Sequence, residues 1–207
     1  MWGRRNAEDT ILGLLASFGL RVPAQPRTCE GRIRAVLEDR DALAPIILPL
    51  LAVRTEALRQ AAALTKKLVR QVKASDACRR LMTVPGVGTV TAASFVAAID
   101  APGRFAKSRS IGAHAGLTSR RHQSGDVDHG GRISKRGDRF SRTMLHEAAN
   151  AQPCRVKPGR GQALRGRAKA VKRRTSHKKA VVALARKLAV IMHAIWVSGG
   201  VCQEREA

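Results

Sequence analysis

Three stretches of the chain repeat apolar residues at helical spacing, and they set the expected framework. In residues 6–20, Ile11, Leu12, Leu14, Leu15 and Phe18 crowd a short helix that Gly19 stops, and residues 22–25, with Pro23 and Pro26, read as linker. From Leu58 the apolar positions run Leu58, Ala61, Leu64, Leu68 and Val72, with Arg59, Lys66, Lys67, Arg70 and Lys73 between them. That pattern predicts a long helix over residues 53–73, either an arm facing a partner or a core helix. Val181, Leu184, Leu188, Ile191 or Met192, and Ile195 predict a core-facing helix over residues 178–197, ended by Ser198-Gly199-Gly200.

The middle of the chain breaks that period twice. Residues 81–92 read Leu-Met-Thr-Val-Pro-Gly-Val-Gly-Thr-Val-Thr-Ala and lead into an apolar run to Ile99, a pattern that fits a helix-hairpin-helix over residues 75–99. Between Leu117 and Ile133 glycines stand at 125, 130 and 131 without helical spacing, which predicts a loop or small β-hairpin over residues 116–137. A further helix is expected over residues 138–150. The fold class is therefore mainly α: a helical arm plus a helical domain with a helix-hairpin-helix and a Gly-rich loop or small β-hairpin. The expected domains are an arm at 1–78, the motif-bearing domain at 79–151, and a basic segment with a final helix at 152–207.

Charge changes the picture more than composition does. Lys and Arg number 39 against 15 Asp and Glu, a formal charge of +24, which argues against an ordinary metabolic enzyme. Residues 152–187 alone hold 13 basic and no acidic side chains, so they repel one another until a polyanion neutralises them. A membrane surface is the less suitable polyanion, because Pro158, Gly159, Gly161 and Gly166 interrupt any amphipathic helix there. With four Phe, two Trp and no Tyr, stacking of bases on aromatic platforms is not the expected binding mode. Cys29, Cys78, Cys154 and Cys202 form no C-x-x-C pair and the His residues lack metal-ligand spacing, so neither a zinc site nor a disulfide framework is expected. Residues 44–53, which include Pro45 and Pro49, are too short to span a bilayer, and no signal peptide opens the chain; reduced thiols in a cytosol are the expected setting.

Two clusters carry candidate chemistry. Gly86, Val87, Gly88 and Thr89 offer a tight turn and the amides of a helix start, where a phosphate can sit against the helix dipole; the competing reading is a packing hairpin whose glycines serve only the turn. Ser119, Ser124 and Ser134 stand among Arg120, Arg121, Arg132, Lys135, Arg136 and Arg139. A serine attacking a phosphodiester needs such cations to favour its alkoxide and to stabilise charge on the phosphate oxygens, whereas a merely solvated loop would hold the same residue types. Lys172, Arg173 and Arg174 add a run of candidate phosphate contacts.

In order, residues 81–92, Phe105-Ala106-Lys107-Ser108-Arg109, Gly116-Leu117-Thr118, Gln123-Ser124-Gly125, residues 131–138 and Glu147-Ala148-Ala149-Asn150 closely resemble the C-terminal half of the insertion-sequence transposases related to the pilin-gene invertase Piv. The resemblance implies a two-part recombinase. A ribonuclease-H-like domain would hold Mg2+ with four acidic residues, and a serine-bearing domain would cut and rejoin DNA through a phosphoserine, in several members guided by an element-encoded RNA. It implies Ser124 as the nucleophile, with Ser134 as second choice, and Arg132, Lys135, Arg136 and Arg139 on the nucleic-acid backbone. It also implies a homo-oligomer or association with intact transposase, and no membrane partner. The opening residues resemble the family at a point beyond its acidic domain, so a chain inactive alone and without a cofactor of its own is expected. Asp126, Asp128 and Asp138 are expected to be solvated or paired with arginine rather than metal ligands. Ser119 departs from the proline usual in that family, and residues 152–177 are poorer in apolar residues. Two other functions remain: a passive nucleic-acid-binding remnant, or a basic structural protein, which would explain the charge but not the ordered motifs.

Overall fold

The computed structural model describes residues 2–22, 29–38, 40, 42–155 and 161–202, in two compact units divided between Lys67 and Leu68. The expected linker at residues 22–25 and the break at Pro158-Gly159 lie largely outside the described residues.

In the first unit, α1 (Trp2–Ser17), α2 (Cys29–Leu37) and the start of α3 (Ala44–Ala74) enclose a small aliphatic core. Ile11 and Leu15, one turn apart, meet Ile33, Leu37, Leu43, Ile47 and Leu51. Gly19, at φ +76°, ends α1 as its spacing predicts, and the Leu20 amide turns back to the Leu15 carbonyl at 2.9 Å. Helix α3 starts nine residues before the expected position 53, because its two prolines are tolerated. Pro45 falls in the first turn, where its missing amide has no helical partner, and Pro49 forgoes a single bond. The stripe predicted on α3 is divided: Val72 is buried in the second unit's core, whereas Leu64 is 64% exposed.

The second unit is organised by α9 (His177–Ser198), whose Val181, Leu184, Leu188, Met192 and Ile195 are buried at helical spacing. Ser176 caps it by accepting the Lys179 amide at 3.3 Å, and left-handed Gly199 closes it. By length and composition α9 is apolar enough to cross a membrane, yet half of that apolar stretch is buried inside this core. Around it stand α4 (Asp76–Leu81), α5 (Thr89–Ile99), the short α6 (Ile111–His114), α7 (Arg139–Arg155) and α8 (Gln162–Arg174). They contribute Leu81, Phe95, Ile99, Ile111, Leu145 and Leu164 to one apolar cluster. The fold is mainly α, with one two-stranded antiparallel sheet among the described residues, β1 (Ser119–Ser124) and β2 (Val127–Ile133).

His193 on α9 is almost fully buried and holds the Phe105–Ser108 stretch in place. One ring nitrogen faces the Pro102 carbonyl and the other the Ser108 hydroxyl, each at 3.0 Å, with Phe105 edge-on at 5.9 Å. A carbonyl can only accept, so Nε2 donates to Pro102.

Three α-helices were not expected, the single-turn α6 among them. Helix α2 carries too short an apolar period to stand out, and α8 runs straight through Gly166. A glycine in an exposed helix costs about 1 kcal/mol, which weakens the helix without ending it. The break falls instead at Gly161, left-handed at φ +69° at the helix start.

The two strands spring from a tight backbone crossing. A Cβ at Gly116 would stand 2.0 Å from the Arg136 carbonyl oxygen, and one at Gly137 would stand 1.9 Å from that of His114. Both glycines also have positive φ. Replacing either by alanine forces backbone apart and is expected to cost about 3 kcal/mol or more. Gly125→Ala, at φ +56° but with nothing within 4 Å, should cost only about 1 kcal/mol. Urea unfolding of the three variants, compared at matched slope, checks the order.

Candidate nucleic-acid interface

Helix α4 is started by Ser75, whose hydroxyl accepts the Cys78 amide at 3.3 Å, and residues 82–88 then lead to α5. Gly86 sits at φ +84°, and a Cβ there would meet Gln152 Nε2 at 2.8 Å and the Ala148 carbonyl at 3.0 Å. The space left by its missing side chain is thus filled by α7, and Gln152 also donates to the Pro85 carbonyl. At Gly86 the glycine thus serves packing against α7 as well as the turn. Val87 is buried in the core, so it can offer a ligand only its backbone. Gly88 and Thr89 are different: Gly88 is exposed, has nothing within 4 Å of a built Cβ, and starts α5 with no side-chain cap. The first amides of α5 therefore have no capping side chain.

The hairpin is exposed along its length and ends in a two-residue turn at Gly125 and Asp126. Ser124 opposes Val127 beside that turn. Strand side chains alternate between faces while directly opposed residues share one, so Ser124 and Val127 share a face with the opposed pair His122 and His129. Ser134 belongs to the other end. It is half-buried, its amide donates to the Thr118 carbonyl at 2.8 Å, and its carbonyl accepts from Arg120 at 3.3 Å. At about 3.3 Å per residue, the two candidate serines are separated by roughly 20 Å of strand.

Arg142 on α7 ties the hairpin root to the helix. Its guanidinium donates to the carbonyls of Ala115, Arg136 and Gly137 at 3.2, 3.3 and 3.5 Å. Asp138 caps α7 by accepting the Ser141 amide. Lys135 takes a left-handed backbone at φ +56°, and its amide donates to the Gly116 carbonyl at 3.1 Å. The sequence reading missed Arg142, Gly116 and Gly137. Glycines flanking the hairpin on both sides, with an arginine four residues after a helix-starting aspartate, are the signal that was there to read.

Cations surround this scaffold. Arg120, Arg121, Arg132, Lys135, Arg136 and Arg139 are all exposed. Arg121 is held by Asp128 through Nε contacts of 2.9 and 3.0 Å, and that hydrogen bond raises the guanidinium above its ordinary value. Asp128 thus pairs with arginine as expected, and Asp138 serves as a cap. On α8 and the approach to α9, residues 172–179 are exposed without interruption and include Lys172, Arg173, Arg174, Lys178 and Lys179. Among the described residues no three His, Cys, Asp or Glu side chains gather.

Residues 78–165, from within α4 to the first turn of α8, match the family described as Transposase IS116/IS110/IS902 family. These residues carry a transposase domain of that family. The chain is 34% identical over 152 residues to a "Probable family 20 transposase" of Pseudomonas aeruginosa, covering 69% of this chain and 44% of that protein. It is 32% identical over 148 residues to the "Transposase for insertion sequence element IS1111A" of Coxiella burnetii, covering 69% and 41% respectively. With the "Putative transposase y4pF/y4sB" of Sinorhizobium fredii the identity is 29% over 203 residues, 95% of this chain and 51% of the relative. The chain thus spans about half the length, or less, of these relatives. The transposase domain contains the 82–88 turn, the hairpin with its root, and α7, whereas most of α8 lies beyond the matched residues.

The Arg121–Asp128 pair gives a test of the hairpin as a polyanion surface. Asp128→Asn removes one negative charge and frees a guanidinium, so nucleic-acid affinity should rise and the salt slope should steepen by about one unit. Fluorescence anisotropy with a labelled duplex between 50 and 200 mM salt reads both.

Proposed function

We propose that this chain is the strand-joining part of a DNA transposase and that Ser124 is its nucleophile. The observation that carries the reading is the position of Ser124 beside the tip of an exposed hairpin whose root is fastened by the Gly116/Gly137 crossing and by Arg142. A rigid base with a projecting, unobstructed serine suits attack on a phosphodiester supplied by another molecule. The half-buried root position of Ser134 suits a structural serine better.

In the proposed step the Ser124 hydroxyl oxygen bonds to phosphorus. One DNA end leaves as a hydroxyl, and the other remains esterified to the serine. The serine proton has two imidazoles, His122 and His129, on the same strand face to receive it. A hydroxyl of the recombining strand then attacks the phosphoserine and restores the serine, so the number of phosphodiester bonds is conserved. Arg132, Lys135, Arg136 and Arg139 neutralise backbone phosphates near the root. The α5 start at Gly88 and Thr89 is read as a sequence-independent phosphate contact. The partners in this reading are DNA, an element-encoded guide RNA and further transposase copies, at the nucleoid in the bacterial cytoplasm. Mg2+ belongs with the acidic domain that the family resemblance implies.

A second reading, nucleic-acid binding without chemistry, is favoured by the exposed α8 cations Arg167, Lys169, Lys172, Arg173 and Arg174, which meet no carboxylate among the described residues. The two separate in one experiment. The chain is incubated with a supplied acidic domain, element RNA and end-labelled element-junction DNA, and denaturation-resistant protein–DNA adducts are measured. The transposase reading expects an adduct that Ser124→Ala abolishes and Ser134→Ala retains. Salt-sensitive binding with no adduct supports the passive reading, and an adduct lost only in Ser134→Ala reassigns the nucleophile.

A further inference from the structure

Helix α8 presents two faces of opposite character. Leu164 and Ala168 turn to the core, with Val171 half-buried beside them. At 100° per residue Arg173 and Gln162 stand opposite that core face, and beside them Ala163, Gly166 and Ala170, all exposed, line a strip about 60° wide; a Cβ built on Gly166 meets nothing within 4 Å. Lys169 and Arg173 border this smooth strip on one side, with Lys172 beyond them, and Arg167 and Arg174 border it on the other. All five cations are exposed, and none is paired with a carboxylate among the described residues. Arg174 Nε instead rests on the Ala170 carbonyl of its own helix at 3.4 Å.

We infer that α8 lies in the major groove of double-helical DNA, its Ala163–Gly166–Ala170 strip facing the groove floor and its two cation rows facing the two phosphate walls. The inference rests on the nucleic-acid reading above and narrows it to one element and one substrate form. Charge alone would suit any polyanion, whereas two rows separated by a strip of small residues suit two parallel walls of negative charge. A B-form major groove is about 12 Å wide and takes a helix, while the major groove of A-form RNA is too narrow and deep for side chains to read. A single strand offers one wall. A helix of 13 residues is about 20 Å long, enough to follow the groove for half a turn of DNA. Side chains as short as alanine let the helix backbone approach closely, and they leave few groups to read bases, so the contact is expected to position DNA rather than select sequence.

The test adds bulk without changing charge. The full chain carrying Gly166→Leu and Ala170→Leu keeps every cation and keeps helix propensity, and its folding is checked by circular dichroism and thermal unfolding. Ala163→Leu, on the same strip, is the second variant, should the double variant unfold. Binding is measured by anisotropy with a duplex DNA of roughly 20 base pairs, one of its strands alone, and the matching RNA duplex. The expected result is a duplex-DNA Kd weakened at least about tenfold, with single-strand affinity and salt slope retained. Unchanged duplex affinity in folded variants overturns the inference, as does an equal loss on the single strand. Tighter wild-type binding to the RNA duplex than to the DNA duplex also overturns it. Failure of the wild type to bind any of the three probes overturns instead the nucleic-acid reading on which it rests.

Discussion

Two glycines let two backbone segments occupy a space that side chains would fill, and the geometry of the proposed site hangs on that crossing. With Gly116 against Arg136 and Gly137 against His114, the segments before β1 and after β2 are locked together. The Ser134 and Lys135 amides add hydrogen bonds to Thr118 and Gly116 across the same junction. A two-stranded hairpin exposed on both faces has almost no apolar burial to hold its direction. Its orientation must come from its root, and Arg142 supplies the remaining link by gathering three root carbonyls onto α7. Since α7 packs on α9, the hairpin inherits the rigidity of the central core.

That dependence separates the parts of the fold that could be read along the chain from those that could not. Helix α9 was legible because burial on one face of a long helix leaves an unmistakable period, from Val181 to Ile195. The hairpin was legible as a loop or hairpin because glycine and polar residues replace that period. The crossing at its root was not legible, since the close approach of two backbones pairs Gly116 with Arg136 and Gly137 with His114, residues distant along the chain, and depends on tertiary placement. Helix α8 was obscured for a different reason. Its apolar face is only Leu164, Ala168 and Val171, and the glycine at its centre outweighs so short a stripe in any reading by propensity.

The candidate residues divide in the same way. A serine among arginines was visible from composition and motif, yet only strand pairing shows that Ser124 and Ser134 occupy opposite ends of the hairpin. Gly86 was visible as a turn residue, but its neighbours Gln152 and Ala148 lie more than sixty positions away, so what filled its open side was unreadable. Gly86 and Gly88, one residue apart, therefore do different work: one admits α7, the other leaves the α5 amides open. A sequence motif with two glycines conceals this division because both satisfy the same turn pattern.

Charge placement gives the strongest link between fold and partner. The first unit and α4 use their acids locally. Glu8 meets Arg54, Glu30 meets Arg34, and Asp76 meets both Arg79 and Arg80. Arg59 and Gln60 hold Glu56 down to about 2 by hydrogen bonding. The exposed pairs among these add little stability, but they cancel long-range repulsion where they stand, and the Glu8–Arg54 pair neutralises a buried guanidinium. Residues 152–187 have no acid with which to do the same. Helix α8 nevertheless forms with Arg167, Lys169, Lys172, Arg173 and Arg174 outward, because Leu164 and Ala168 are fastened to the core. Apolar packing fixes that repulsion in place; salt screens part of it, and a ligand of opposite charge relieves more. An extended polyanion relieves it along the whole helix at once, and for that reason the basic face is better understood as one half of an interface than as a solvated surface.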